Sequence, residues 1–158
     1  MRLTEFTEEQ VAWLDEIEQS CFPDPWDISV TRTEIDNPLC DLIAEEADGR
    51  IIGFALAKTA ADEAELYQLA VLPEYRRRGI ARKLLHELYD ALRERGAAMC
   101  FLEVRSGNRE AIALYESEGF ERISVRTCYY GDDDALIYRL GFECEENEND
   151  ELDNGEPM

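Results

Sequence analysis

The sequence predicts one α/β domain: a mixed, mostly antiparallel central sheet of about six to seven strands, flanked by about four helices. Three observations predict it. They are an apolar hairpin pattern at residues 39–58, a strand–helix–strand crossover through residues 65–104, and two strand patterns after the last helix. The chain has 158 residues, which is enough for one domain with its own core.

The first quarter of the chain reads as two helices. Thr7 is a plausible N-cap for a helix whose apolar residues recur at spacings of three and four. The proline-containing segment 22–26 ends that helix. We expect Ser29 to cap a second, short helix that ends before Asn37 and Pro38.

The rest of the chain alternates between strand and helix patterns, punctuated by glycine and proline. In order, we predict strands at 39–46 and 50–58 joined by a turn at 47–49, a strand at 65–72, an amphipathic helix from Gly79 to Gly96, a strand at 98–104, a helix at 108–117, and strands at 120–130 and 135–140.

Acidic residues dominate the composition: 37 Asp and Glu against 16 Lys and Arg give a net charge of −21. This field repels a phosphate backbone, so we expect no nucleic-acid partner, and it attracts cationic ones. Residues 143–158 hold eight acidic residues and no Lys or Arg. We assign residues 1–142 to the folded domain and expect the acidic stretch 143–158 to be a disordered tail.

The five cysteines lie far apart and the chain has one histidine, His86, so no metal-ligand spacing is present and we expect no metal. The apolar runs are too short to span a membrane, and no basic and apolar leader stands at the N-terminus. We therefore expect a cytoplasmic protein with reduced thiols and no membrane association.

The segment from Arg76 to Arg82 is a basic turn between a strand and a long helix. Four arginines stand among its seven residues, and Gly79 precedes the helix. Unpaired N–H groups and the positive end of the helix dipole favour phosphate oxygens at such a position. A solvated helix start whose arginines neutralise nearby carboxylates explains the same residues, and this segment alone does not decide between the two.

Glu103 is the one ionisable residue within the apolar strand pattern 99–104. A partly buried carboxylate can act as a general base near neutral pH. Asn108 and Tyr115 lie two helical turns apart, which predicts one shared direction, and a tyrosine can serve as a general acid. The alternatives are that Glu103 pairs with Arg105 or Arg126, and that Tyr115 packs in the core.

Together, the two segments resemble the GNAT family of acetyl-CoA-dependent N-acetyltransferases. The resemblance rests on Arg76-Arg77-Arg78-Gly79-Ile80-Ala81 and on the pattern from Asn108 to Phe120, with Leu114-Tyr115 and Gly119-Phe120 inside it. It covers residues 1–142. Within the family, Leu102-Glu103-Val104-Arg105 and the later Tyr129-Tyr130 are similar to the ribosomal-protein-alanine N-acetyltransferases.

The resemblance implies a role for each matching residue. Glu103 would be the general base for the incoming α-amine and Tyr115 the general acid for the CoA thiolate, with direct attack in a ternary complex and no metal. Trp26, Tyr129 and Tyr130 would line the peptide entrance. The residues that would bind acetyl-CoA are Leu69, Ala70, Val71, Arg77, Arg78, Gly79, Ile80, Ala81, Arg82 and Asn108.

The function implied is acetylation of a protein N-terminus, the N-terminal alanine of a small-subunit ribosomal protein. Such N-termini are usually basic, so the acidic surface would attract them. We expect a monomer or weak dimer. Two alternatives stay open: a GNAT enzyme for a small amine, such as a polyamine, an amino acid or an aminoglycoside, and a CoA-binding module without catalysis.

Overall fold

A computed structural model describes residues 1–129, 131 and 133–142 of the chain. Tyr130 and the stretch 143–158, where we predicted a tail, lie outside the described residues. The elements are β1 (Arg2–Leu3), α1 (Glu8–Cys21), α2 (Ile28–Asp36), β2 (Cys40–Ala47), β3 (Arg50–Ala60), β4 (Glu63–Val71), α3 (Ile80–Glu94), β5 (Met99–Arg105), α4 (Arg109–Ser117), β6 (Glu121–Arg126) and β7 (Ala135–Gly141).

The strands form one sheet in the order β1-β2-β3-β4-β5-β7-β6. Each neighbouring pair is antiparallel except β4 and β5, which run parallel because α3 connects them as a crossover. The described chain thus contains seven strands and four α-helices, and the predicted fold class is confirmed. None of the described helices is both long enough and apolar enough to cross a membrane.

The core lies on both faces of β3. Residues 51–57 of this strand are buried without interruption, as expected for a strand covered on both sides. Helix α1 packs against β3 and β4 through Leu14 and Ile17, and α3 packs against β2 and β3. The amphipathic pattern of α3 accounts for this, since Leu85, Leu88 and Leu92 are fully buried.

Local details confirm some boundaries and correct others. Thr7 caps α1 in a reciprocal capping box with Gln10. The prediction that Ser29 caps α2 was wrong: Asp27 is the N-cap, and its carboxylate accepts the N–H of Ser29. The strand predicted at 120–130 is shorter in the structure. It corresponds to β6, which ends at Arg126, and Cys128 has φ of +55°, outside the extended region.

The most consequential irregularity lies in β4. Its pairing with β3 passes from Ala57↔Leu66 to Leu56↔Gln68, which leaves Tyr67 as an extra residue in a β-bulge. On the other side, the described pairing of β4 with β5 runs only from Glu63↔Met99 to Leu66↔Leu102. Beyond the bulge, the described residues of β4 and β5 form no further backbone pairs. We call this unpaired stretch between the two strands the gap.

Candidate active site

Beyond the bulge, every second residue of β4 directs its main-chain N–H and C=O groups toward the gap. The N–H of Leu72 donates to the carbonyl of Ile52 at 2.9 Å, so the main-chain groups of Leu72 and Ala70 are directed toward β3. In an antiparallel pair the intervening residues direct theirs away, which places the N–H and C=O groups of Leu69 and Val71 at the gap. An extended ligand can therefore pair with β4 through Leu69 and the Val71 N–H, whereas the Val71 carbonyl already accepts a hydrogen bond from Arg76.

The turn after β4 is arranged around two left-handed residues. Arg77 has φ of +64°, and Gly79, the N-cap of α3, has φ of +77°. Among the described residues no side chain caps this helix. The N–H groups of its first turn and the positive end of its dipole are thus available to an anion.

The arginine side chains of this turn are largely engaged by the protein itself. Arg76 donates from Nε to the carbonyl of Val71 at 2.9 Å, and the Arg78 guanidinium lies 5.3 Å from the centre of the Tyr75 ring. Arg82 forms an ion pair with Glu118. The alternative in which arginines neutralise nearby carboxylates is therefore present at Arg82, and phosphate binding by the turn stays a prediction.

Glu118 anchors the start of α3 to the end of α4. Its side chain is 5% exposed and accepts hydrogen bonds from Arg82 and from the Tyr89 hydroxyl, the latter at 3.1 Å. His86 Nε2 lies 2.8 Å from the same carboxylate. The single histidine therefore contributes to this junction.

Tyr115 lies on α4 in the core between the helix and the sheet. Its ring packs edge-on against Phe120 at 5.6 Å, and burial, together with the nearby Cys100 thiol, raises the pKa of Tyr115 above its ordinary value. Asn108 is the N-cap of α4, and its Oδ1 accepts the Ala111 N–H at 3.2 Å. The expectation that Asn108 and Tyr115 share one direction was wrong, because Asn108 precedes the helix and is exposed.

On the other face of the sheet a cavity of about 660 Å³ opens beside β4 and β5. Glu103 lies in its wall with 27% of its side chain exposed, and Arg126 Nη1 approaches Glu103 Oε1 at 3.5 Å. The pairing with Arg126, one of the alternatives, is thus present. The lining includes three carboxylates, two cationic side chains and three aromatic rings: Glu63, Glu65, Glu103, Lys58, Arg126, Tyr67, Phe101 and Tyr129.

The predicted entrance residues occupy different positions around this cavity. Tyr129 lines it, with the Arg126 guanidinium 5.5 Å from its ring centre. Trp26 does not line the cavity itself. Its ring contacts that of Tyr67, which does, edge-on at a centroid distance of 6.2 Å. Sequence analysis missed Tyr67 and Glu65; their alternation along β4 was the available signal.

Glu103 and Tyr115 lie on opposite faces of the sheet. Along β5 the side chains alternate: Cys100, Leu102 and Val104 are buried, and Glu103 is directed to the cavity. Tyr115 lies close enough to the Cys100 thiol for that group to influence its pKa, which places the phenol on the face of β5 opposite Glu103. The described residues contain no group of three or more His, Cys, Asp and Glu arranged to hold a metal ion.

The strands β4 and β5 part between the uncapped start of α3 and a cavity that Glu103 lines, an arrangement that offers places for two substrates. The sequence pattern of the acetyltransferase (GNAT) family matches residues 11–120, and the chain belongs to this family. The family predicted from the two motifs is confirmed.

Several of the curated relatives are named as N-acetyltransferases. The ribosomal protein bS18-alanine N-acetyltransferase of Escherichia coli (strain K12) is 45% identical over 97 residues, which cover 59% of this chain and 66% of that protein, just under two thirds of its length. The enzyme of the same name from Haemophilus ducreyi is 40% identical, covering 74% of this chain and 80% of that protein. The N-alpha-acetyltransferase RimI of Mycobacterium tuberculosis is 36% identical over 74% of this chain and 75% of that protein.

A solved structure supports the same relationship. The crystal structure of the ribosomal-protein-S18-alanine N-acetyltransferase from Escherichia coli matches with a TM-score of 0.79 and 33% identity, covering 92% of this chain and 97% of that chain. The resemblance to ribosomal-protein-alanine N-acetyltransferases is thereby confirmed.

Proposed function

We propose that this protein is an acetyl-CoA-dependent N-acetyltransferase that acetylates a protein N-terminus, the N-terminal alanine of a ribosomal protein of the kind that its relatives are named for. One observation carries the proposal: the backbone pairing of β4 with β5 ends between the uncapped start of α3 and the cavity that Glu103 lines. The identity to N-alpha-acetyltransferases over about three quarters of the chain supports it.

The turn and the gap fit acetyl-CoA, which supplies the activated acetyl thioester. The main chain from Arg77 to Arg82 would hold the pyrophosphate, since its helix start favours anions. The gap-facing backbone of Leu69 and Val71 would pair with the pantetheine arm, and the exposed Asn108 would contact it near α4.

Glu103 and Tyr115 divide the proton transfers. An α-ammonium group has a pKa of about 7.7–8.0, so a carboxylate beside it can remove its proton near neutral pH. Burial raises the pKa of Tyr115, which keeps its proton in place until a thiolate forms nearby. The same dry surroundings raise the proton affinity of that thiolate and favour the transfer.

The charge of the protein suits a cationic acceptor. Glu63, Glu65 and Glu103 line the cavity, and the whole chain carries −21. Burial and the proximity of Glu103 raise the pKa of Glu65, while Lys58 lowers it. A positively charged N-terminus would be attracted into this field before it loses its proton. We propose that residues 1–142 carry the activity.

Mass spectrometry of acetylated products tests this function. The protein is mixed with acetyl-CoA and two acceptors, a basic peptide beginning with alanine and spermidine. We expect acetylation on the peptide α-amine, with turnover lowered about 10²–10⁴-fold in Glu103→Gln. Glu110→Gln, an exposed carboxylate on α4, is the matched control and should keep full turnover.

The two acceptors distinguish the alternatives. Modified spermidine with untouched peptide would keep the family and assign the function to small amines. If acetyl-CoA binds and neither acceptor is modified, the proposal fails and the non-catalytic alternative is favoured.

A further inference from the structure

Glu18 is a buried carboxyl group on α1 that the proposed chemistry does not use. Its residue is 0% exposed. One oxygen, Oε1, accepts the Trp26 N–H at 2.8 Å and the Gln68 Nε2 at 2.6 Å. The other oxygen, Oε2, is buried without a partner among the described residues. Burial of an incompletely bonded carboxyl is costly, so a compensating role is expected.

The two hydrogen bonds connect two segments next to the cavity that Glu103 lines, and we call these two segments the wall. Trp26 belongs to the loop between α1 and α2, and Gln68 follows the bulged residue Tyr67 in β4. The Trp26 and Tyr67 rings meet edge-on across the same junction, and Tyr67 lines the cavity. Glu18 is therefore placed to fix this wall without lining the cavity itself.

The bulge is what brings Gln68 to Glu18. Cross-strand partners share a face of the sheet, and Leu66 pairs with Ala57 whereas Gln68 pairs with Leu56. Ala57 and Leu56 face opposite sides, so Leu66 and Gln68 do as well. In a regular strand they would share a face, and Gln68 would be directed away from α1.

Both hydrogen bonds of Glu18 end on one oxygen, which an amide can replace. Burial raises the pKa of Glu18, and the hydrogen bonds from Trp26 and Gln68 oppose that shift. The amide of glutamine has one acceptor oxygen on a side chain of the same length, so glutamine at this position would keep both hydrogen bonds to the wall.

We propose that Glu18 is a positioning residue for protein acceptors: by holding the Trp26 loop against the bulge of β4, it sets the wall along which the first residues of the acceptor lie. This inference rests on the proposed function of the cavity. We expect the loss of Glu18 to weaken binding of the acceptor rather than of acetyl-CoA. The reason is that, among the described residues, Glu18 contacts residues on the cavity face of the sheet and none in the turn before α3.

Kinetics of three variants test the proposal. In Glu18→Ala both hydrogen bonds are lost, and we expect the peptide KM to rise about tenfold, as expected for one to two net hydrogen bonds. The KM for acetyl-CoA should stay within about twofold. Glu18→Gln should restore the peptide KM to within about threefold of the unsubstituted protein. Ile17→Val, a neighbouring buried change on α1 that removes one methylene from the core, should leave both KM values unchanged.

Tryptophan fluorescence provides a readout that needs no acceptor. The chain has two tryptophans, so Trp13→Phe leaves Trp26 as the reporter. In that background, Glu18→Ala should make Trp26 more accessible to acrylamide, and Glu18→Gln should not.

The outcomes separate the two proposals. An equal rise of peptide KM in Glu18→Ala and Ile17→Val, or unchanged Trp26 quenching in Glu18→Ala, would overturn the positioning role. If the unsubstituted protein acetylates no peptide, the proposed function fails, while the quenching experiment still decides whether Glu18 holds Trp26.

Discussion

Gly79→Ala tests whether the turn before α3 holds the phosphates of acetyl-CoA. Gly79 has φ of +77°, and a Cβ added there would meet no heavy atom within 4 Å. The substitution therefore introduces no clash, and its cost is the left-handed backbone alone, about 1–2 kcal/mol for a residue with a Cβ. Because the turn is exposed, we expect the free protein to relax and reorient its N–H groups.

Binding of acetyl-CoA would then require the left-handed conformation to form again. The free energy of that strain should therefore weaken the affinity for acetyl-CoA. At 1.4 kcal/mol per tenfold, 1–2 kcal/mol corresponds to an increase of about 5–30-fold in the Kd for acetyl-CoA. The measurement is titration calorimetry with acetyl-CoA, together with urea unfolding to measure stability.

Gly49→Ala is the matched control. Gly49 also has φ of +77° and no heavy atom within 4 Å of an added Cβ, and it lies in the turn between β2 and β3. It should lose about 1–2 kcal/mol of stability at most and no affinity. Unchanged affinity in Gly79→Ala, or an equal loss of affinity in Gly49→Ala, would refute the assignment of the turn.

Two further predictions concern other parts of the molecule. Tyr115→Phe keeps the ring against Phe120, so it should lower kcat about 10²–10⁴-fold with a stability change of about 1 kcal/mol or less. Since burial raises the pKa of Tyr115, kcat of the unsubstituted enzyme should show no loss of this acid up to pH about 10. Unchanged kcat in Tyr115→Phe would contradict the acid role, and an alkaline limb near pH 8 that Tyr115→Phe lacks would contradict the raised pKa. Asp41 is 3% exposed and pairs with Arg2 at 2.7 Å and with Arg95, so Asp41→Ala should cost about 3 kcal/mol, a fall of about 6–12 °C in Tm by calorimetry, whereas Asp90→Ala, whose pair with Arg93 is exposed, should change Tm little.

Elements with strong local signals could be predicted from the sequence. Helix α3 follows from its leucine spacing, and the hairpin of β2 and β3 follows from apolar runs around a glycine turn. Strand β1 could not be predicted, because its two residues are defined only by pairing with β2. The cap of α2 was misassigned because Asp27 and Ser29 are both suitable cap residues and only the backbone distinguishes them.

The candidate site was predictable where it depended on residue type and not where it depended on register. The unusual charge of Glu103 within an apolar strand, and the glycine before α3, identified two parts of it. The bulge at Tyr67 has no local sequence signal, since it arises from how β4 pairs with β3. Tyr67 and Glu65 were missed although they alternate along β4, and the burial of Glu18 depends on contacts of α1 that its local sequence does not specify.

The bulge connects the two halves of the proposed reaction. It lies where the recorded pairing between β4 and β5 ends, so the gap that would receive acetyl-CoA begins there. It also directs Gln68 to Glu18 and sets Tyr67 into the cavity wall, on the face that carries Glu103. We therefore expect the extra residue in β4 to shape both the proposed gap and the cavity wall, because it changes the faces to which Tyr67 and Gln68 are directed relative to a regular strand.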